Sequence, residues 1–343
     1  MDQTADPSAR ILIIDDDEAI ISLLERMLKR DGYQNVRSAT DARLALPLFR
    51  EFEPDLVLMD LRMPFLDGIN VMGQLRQRNT PGEFLPVVLV TGDTTPEARE
   101  LALSAGASDF LTKPFDATDV LLRIRNLIDL RKQYHDVHEE VVRHQRELRE
   151  TQIEMAERLA RVAEYRESMD GSLPAQFGML SAGIAEELDM SDEQVELIRY
   201  AAPLHDIGMV GMPEILVKPG SLSLEELDLL KTHTSLGSRV FSGSSSPILR
   251  MAEEIALYHH ENWDGTGYTP GLAGDAIPLP ARIVAIVDTF LAMTRDRPYQ
   301  KARSVDEALA WIDEQAGRKF DPAVVRAFQS VYPKISLPLL EAP

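Results

Sequence analysis

The 343-residue chain has no cysteine, which excludes disulfides and thiolate-held metals. It also lacks any apolar run near the roughly 20 residues that a membrane span needs. The longest uninterrupted runs, such as Ile11–Ile14, are short. Met1 to Ala9 is polar and without the apolar centre of a signal peptide, so the expectation is a cytoplasmic protein with no membrane partner. Positive charge is scarce: 36 Lys and Arg stand against 56 Asp and Glu, a net charge of −20. That balance, with no basic recognition helix, argues against a DNA partner. Between Thr118 and Arg166 there is neither proline nor glycine. What is present, 44% hydrophobic and 27% charged residues, is ordinary for a soluble chain long enough for two domains.

The first part alternates strand and helix patterns. Strands are predicted at Ile11–Ile14, Asn35–Ser38, Leu56–Met59, Val87–Val90 and Asp109–Thr112. Helices are predicted between them, at Glu18–Arg30, Ala42–Phe52, Gly68–Arg78 and Pro96–Ala105. This order implies an α/β doubly wound parallel sheet, with its site at the carboxyl ends of the strands. Asp15 and Asp16 follow the first strand and Asp60 ends the third; Thr91 ends the fourth and Lys113 the fifth. Clustered carboxylates call for a cation, and oxygen ligands of this kind suit Mg²⁺. With a hydroxyl and a lysine beside them, they make a site for phosphoryl transfer onto an aspartate.

Residues 10 to 125 resemble the receiver domain of two-component response regulators, a flavodoxin-like fold. The matching pieces are Ile14-Asp15-Asp16-Asp17, Met59-Asp60-Leu61-Arg62-Met63-Pro64, Asp67-Gly68, Val90-Thr91-Gly92 and Thr112-Lys113-Pro114-Phe115. The resemblance implies that Asp60 accepts phosphate from a sensor histidine kinase. It implies that Asp15, Asp16 and the main chain of Arg62 serve Mg²⁺, that Thr91 and Lys113 contact the phosphoryl group, and that Phe110 is the aromatic switch.

A long helix is predicted next, as a linker over 118–168. Leu127, Tyr134, Val141, Leu148, Met155 and Val162 recur every seventh residue, with Leu130 and Val137 three positions on from the first two. A heptad repeat predicts a parallel coiled-coil homodimer. His135, His138 and His144 share no chelating face of this helix and read as surface residues.

The other four of the seven histidines fall into an ordered series: His205-Asp206, His233, His259-His260, then Asp288. Imidazoles and carboxylates together suit Fe, Mn, Zn or Ni. A shared carboxylate such as Asp206 can bridge two ions roughly 3.5–4 Å apart. Their context is helical, with patterns at Asp192–Leu204, Leu224–Ser235, Pro247–His260, Pro280–Met293, Val305–Ala316 and Pro322–Val331. An all-α domain is therefore expected over 169–333, with loose ends at 1–9 and 334–343.

These residues resemble the HD-GYP branch of the HD phosphohydrolases. The resemblance rests on Ala201-Ala202-Pro203-Leu204-His205-Asp206-Ile207-Gly208, on His233, on His259-His260-Glu261-Asn262-Trp263-Asp264-Gly265-Thr266-Gly267-Tyr268, on Asp288 and on Arg297-Pro298-Tyr299. It implies hydrolysis of cyclic di-GMP, or a related cyclic dinucleotide, to pGpG or GMP at a two- or three-metal centre. One ion would take His205, Asp206 and Asp288; the second would take Asp206, His233, His259 and His260. Iron or manganese would come ahead of zinc or nickel. Arg297 would contact a substrate phosphate and Tyr268 would shape the guanine side.

The pattern is degenerate. Met169 and Leu173 stand where an upstream glutamate and histidine ligand belong, and Met209 replaces a lysine. Thr269 replaces the proline of the GYP triplet, while Leu291 and Gln300 replace an aspartate and a basic residue. Without the upstream pair, two ions rather than three are expected. The alternative is an output that has lost turnover and binds nucleotide or protein partners under phosphorylation control.

Overall fold

The computed structural model describes residues 6–76, 84–92, 95, 100, 103–164, 173–213, 222–295 and 301–340. It divides into two compact units, Met1–Gln145 and Arg146–Pro343.

In the first unit the strands are β1 (Arg10–Ile14), β2 (Asn35–Ala39), β3 (Leu56–Asp60), β4 (Val87–Thr91) and β5 (Asp109–Thr112). They form one parallel sheet in the order β2-β1-β3-β4-β5. The central β3 and β4 are wholly buried, which is why their sequences are continuous apolar runs, while the edge strand β2 alternates. Helices α1 (Glu18–Asp31), α2 (Ala45–Phe52) and α3 (Gly68–Arg76) supply covering residues. Leu24 and Leu28 join one core layer, with Val120 and Ile124 from further on; Val71, Met72 and Leu75 join the other. Asp17 caps α1 by accepting the amide hydrogen of Ala19, so the same loop that carries the acidic pair also starts the helix. The helix expected over 96–105 falls largely outside the described residues.

Helix α4 runs without interruption from Ala117 to Glu164. Its early turns bury Val120, Ile124 and Ile128 in the first unit, and its last turns bury Ala156, Ala160 and Ala163 in the second. The helix covers the described part of the linker expected over 118–168, and residues at each of its ends join a core. The heptad residues lie elsewhere on the helix. Tyr134, Val141, Leu148, Met155 and Val162 are exposed, as are Leu130 and Val137, while Leu127 packs on the first unit.

The second unit is helical: α5 (Leu173–Glu187), α6 (Asp192–Ala201), α7 (Leu224–Lys231), α8 (His233–Phe241), α9 (Pro247–Tyr258), α10 (Leu279–Met293), α11 (Val305–Glu314) and α12 (Pro322–Leu340). Helices α6, α7 and α11 each begin with a serine in a complete capping box. Two expectations are corrected here, and one helix is additional. The segment read as one helix over 224–235 breaks at Thr232, so that His233 opens a new helix. Helix α5 was not anticipated, because it is buried over most of its surface and lacks a polar stripe. The end expected to be loose from residue 334 continues as helix to Leu340, and Ile335 packs on the core beside Gly183.

Candidate functional site

The strand ends gather the first unit's charged residues. Lys113 Nζ donates to Asp15 Oδ2 at 2.8 Å and to Asp60 Oδ1 at 2.7 Å, and the Arg62 amide donates to Asp60 Oδ2 at 2.8 Å. Asp15 and Asp60 are 1% and 5% exposed, Thr91 is buried at the next strand end, and Asp16 is exposed. Burial lifts the Asp60 carboxyl above its ordinary value, with Asp15 adding to the effect and Lys113 opposing it. A methyl group at Gly68 would sit 2.4 Å from the Asp60 carbonyl oxygen, so only glycine lets this loop close over the strand end. Phe110 is partly buried on β5. Three carboxylates with a backbone amide and a lysine fit a hydrated Mg²⁺ and a phosphoryl group.

In the second unit four segments converge. His205 and Asp206 lie in the turn after α6, His233 at the start of α8, His259 and His260 just after α9, and Asp288 within α10. Asp206 faces two ways. Its Oδ2 is 3.5 Å from His205 Nε2, while its Oδ1 is 3.2 Å from His233 Nε2 and 3.4 Å from His259 Nε2. Asp288 Oδ1 lies 3.8 Å from His205 Nε2. One potential donor atom from each of Asp206, His233, His259 and His260 falls within 4.8 Å of the others.

The histidines are pre-oriented. The Nδ1 of His205 faces Ala202 O at 3.0 Å, that of His233 faces Leu230 O at 2.6 Å, and that of His259 faces Ile255 O at 3.0 Å. A carbonyl only accepts, so each Nδ1 carries the hydrogen and each Nε2 points inward as the donor to a metal. Asp206 Oδ1, His233 Nε2 and His259 Nε2 are buried with no hydrogen-bond partner. Such atoms are costly to leave unsatisfied, and divalent cations satisfy all of them at once. The donor set therefore fits metal.

Electrostatics agree with the geometry. Burial works against ionisation of Asp206, but the imidazoles of His205, His233 and His259 outweigh it and hold the carboxyl well below its ordinary value. Burial and the neighbouring His259 push His260 far down, which favours the neutral ring that a metal requires. Burial also opposes charging of His233, yet Asp206 pulls it above its ordinary value.

Close packing fixes these positions. A methyl group at Gly208 would lie 2.0 Å from His233 O and 2.7 Å from the Gly237 amide nitrogen, so the turn bearing His205 and Asp206 presses against α8. Tyr268 lies over His260, ring centroids 4.8 Å apart, and burial with Asp206 and Asp288 raises its phenol. Its loop is tied down by Trp263 N–H to Lys319 O at 3.1 Å and Asp264 N–H to Arg318 O at 2.9 Å. Arg282 holds the other side, 5.5 Å over the Trp263 ring and 2.7 Å from Asp321.

Three of the four described substituted positions are apolar. Leu173 opens α5 and packs on the core, Leu291 is buried in α10, and Met209 is partly buried in the turn after Asp206. Thr269 carries a positive φ of 62° in the loop after Tyr268. Met169, Arg297 and Gln300 lie outside the described residues. Sequence reasoning missed Phe177, whose ring stacks on His205 at 4.5 Å and 21°. No polar pattern marks that residue; it sits in the unanticipated α5.

A response regulator receiver domain model matches residues 11–125, and an HD domain model matches 145–324. The chain is 36% identical over 334 residues to the cyclic di-GMP phosphodiesterase response regulator RpfG of Xanthomonas campestris pv. campestris, covering 95% of this chain and 88% of that one. It is also 36% identical over 341 residues to a cyclic di-GMP phosphodiesterase of Thermotoga maritima, at 95% and 91% coverage. A 3'3'-cGAMP-specific phosphodiesterase of Vibrio cholerae matches at 34% identity over 180 residues, 52% of this chain and 34% of that one.

Proposed function

Because the chain belongs to the HD-GYP response regulators, we propose that it is a phosphorylation-controlled phosphodiesterase that hydrolyses cyclic di-GMP to pGpG and GMP. The observation that carries this reading is the two-sided Asp206, one oxygen toward His205 and the other toward His233 and His259. That is the arrangement of a bridging carboxylate. His205, Asp206 and Asp288 would hold one divalent ion, and Asp206, His233, His259 and His260 the other, iron or manganese ahead of zinc or nickel. Bound there, the ions supply Lewis acidity, which acidifies water and polarises the phosphodiester.

The chain's own residues do the positioning. Backbone carbonyls hold His205, His233 and His259 with Nε2 inward, so little reorganisation accompanies ion binding. Tyr268 walls the His260 side and would bound the guanine. Arg297 would take a substrate phosphate.

In the first unit Asp60 would accept a phosphoryl group from a sensor histidine kinase in the cytoplasm. Mg²⁺ would sit on Asp15, Asp16 and the Arg62 main chain, with Thr91 and Lys113 on the phosphoryl oxygens and Phe110 reporting occupancy. The exposed heptad seam of α4 would pair with that of a second copy in a parallel dimer, through which the charge at Asp60 biases the output. Crosslinking along this seam with and without a phosphoryl mimic tests the coupling; identical patterns would sink it.

A second reading is favoured by one group of observations. Apolar Leu173 and Leu291 and the partly buried Met209 occupy places where the family carries ligands or charge. On that reading the metal centre binds a cyclic dinucleotide or a protein partner without turnover. Anaerobic assay of Mn- or Fe-loaded full chain with cyclic di-GMP separates the two. Asp206-dependent pGpG or GMP is expected, and metal-loaded protein that yields no product would leave only the binding role.

A further inference from the structure

Lys319 lies on the Asp288 side of the centre, bonded to the residue that follows Asp288. It precedes Phe320 and Asp321, just ahead of α12. Its Nζ donates to Thr289 Oγ1 at 3.1 Å, and Thr289 directly follows Asp288 on α10. The Thr289 hydroxyl gives its own hydrogen to Ala285 O at 2.8 Å, so toward Lys319 it acts only as an acceptor. The ammonium lies 5.6 Å from the Trp311 ring centroid and 5.3 Å from that of Phe320. Among the described residues it pairs with no carboxylate. Burial pushes it below its ordinary value, and Asp288 only opposes that in part. An ammonium has three hydrogens to give, and here one neutral hydroxyl takes one of them. A half-buried cation so poorly paired calls for an anion.

The charge balance of the centre calls for the same cation from the other side. Position 209, three residues after Asp206, carries an uncharged methionine. Position 209 therefore supplies no cation to a phosphodiester drawn to this centre. We infer that Lys319 supplies it: its ammonium, held by Thr289 between Trp311 and Phe320, takes a phosphate oxygen of the dinucleotide on the Asp288 side. This rests on the phosphodiesterase reading for its ligand class, though not on turnover. Lys319 acts as a substrate-positioning cation and would set affinity more than the chemical step.

The test uses Mn-loaded full-length protein and its Lys319→Met and Lys319→Arg variants. Methionine keeps the stem between the two rings and removes only the charge; arginine restores charge. Titration calorimetry with GMP and with inorganic phosphate measures the anion contact without turnover. Lys319→Met should weaken both probes about tenfold, and Lys319→Arg should recover part of that, with metal content and melting temperature unchanged. Where cyclic di-GMP is turned over, KM should rise with Lys319→Met and kcat should change less. Unchanged probe affinity in Lys319→Met would overturn the proposal, as would wild-type protein that binds neither probe at millimolar concentration. Equal loss of metal and of melting temperature in both variants would mark Lys319 as structural and also overturn it. Lys319-dependent GMP affinity without turnover would sustain the proposal while defeating hydrolysis as the function.

Discussion

Both units gather carboxylates, but they deal with the charge differently. In the sheet unit, Lys113 reaches across to Asp15 and Asp60, so the protein supplies its own counter-charge. In the helical unit, Asp206 meets imidazoles whose inward nitrogens have no hydrogen-bond partner. One site has part of its charge offset before any ligand arrives; the other would be completed by ions. The first can therefore act as a switch whose resting form is stable. The second offers a donor set that fits divalent metal.

The largest expected effect breaks this contrast at Asp206. Asp206→Ala should cost at least about 100-fold in turnover and lower metal content, measured by product chromatography and metal analysis. Asp60→Asn should leave metal content untouched. Next, Lys113→Met leaves two buried carboxylates facing each other. The first unit should lose about 3 kcal/mol in urea unfolding at neutral pH, with no change in metal loading of the second. Leu148→Glu, on the exposed seam of α4, should weaken self-association about tenfold in sedimentation without altering either core.

The smallest effect sharpens the comparison through pH. The folded Asp60 carboxyl sits above its ordinary value, so the folded state holds the proton more tightly than the unfolded one. Its charged form therefore costs stability, fully above the folded pKa and less as pH falls through it. Asp60→Asn should raise the melting temperature at neutral pH, a gain that fades in acid. Asp206 is shifted the other way. In chelated protein its contribution is present above about pH 4 and lost as pH falls toward its folded value. Melting curves of the Asp206→Asn variant should therefore approach wild type in acid from the less stable side, the reverse of Asp60→Asn.

The parallel sheet and the spacing of the histidine and aspartate series were legible because they depend on type and spacing. Three apolar runs followed by Asp or Thr, with two shorter and more polar strands, leave few topologies, and His-Asp and His-His pairs at the ends of helical patterns leave few chemistries. Helix α5 was hidden for a physical reason. Phe177, Leu180, Ile184 and neighbouring small residues are buried on nearly every side, so no amphipathic period marks it. The break at Thr232 was equally silent, since Leu224–Ser235 reads as one apolar pattern and only tertiary packing turns His233 inward. Lys319 and Phe177 gave no motif signal at all. Their roles come from what folds against them, Thr289 and Trp311 for one and His205 for the other.

Gly208 carries a consequence of another kind. With the His233 carbonyl oxygen 2.0 Å from where a side chain would begin, this position has no room to drift. Most residues around the ions can vary in size and let their neighbours settle. A single methyl here would act as a wedge, prising the turn that bears His205 and Asp206 away from the helix that bears His233. Alanine at 208 would keep every ligand and every charge, yet set the halves of the centre at the wrong spacing. The smallest residue in the motif thus works as the gauge block of the site, fixing a distance that the ligands themselves cannot correct.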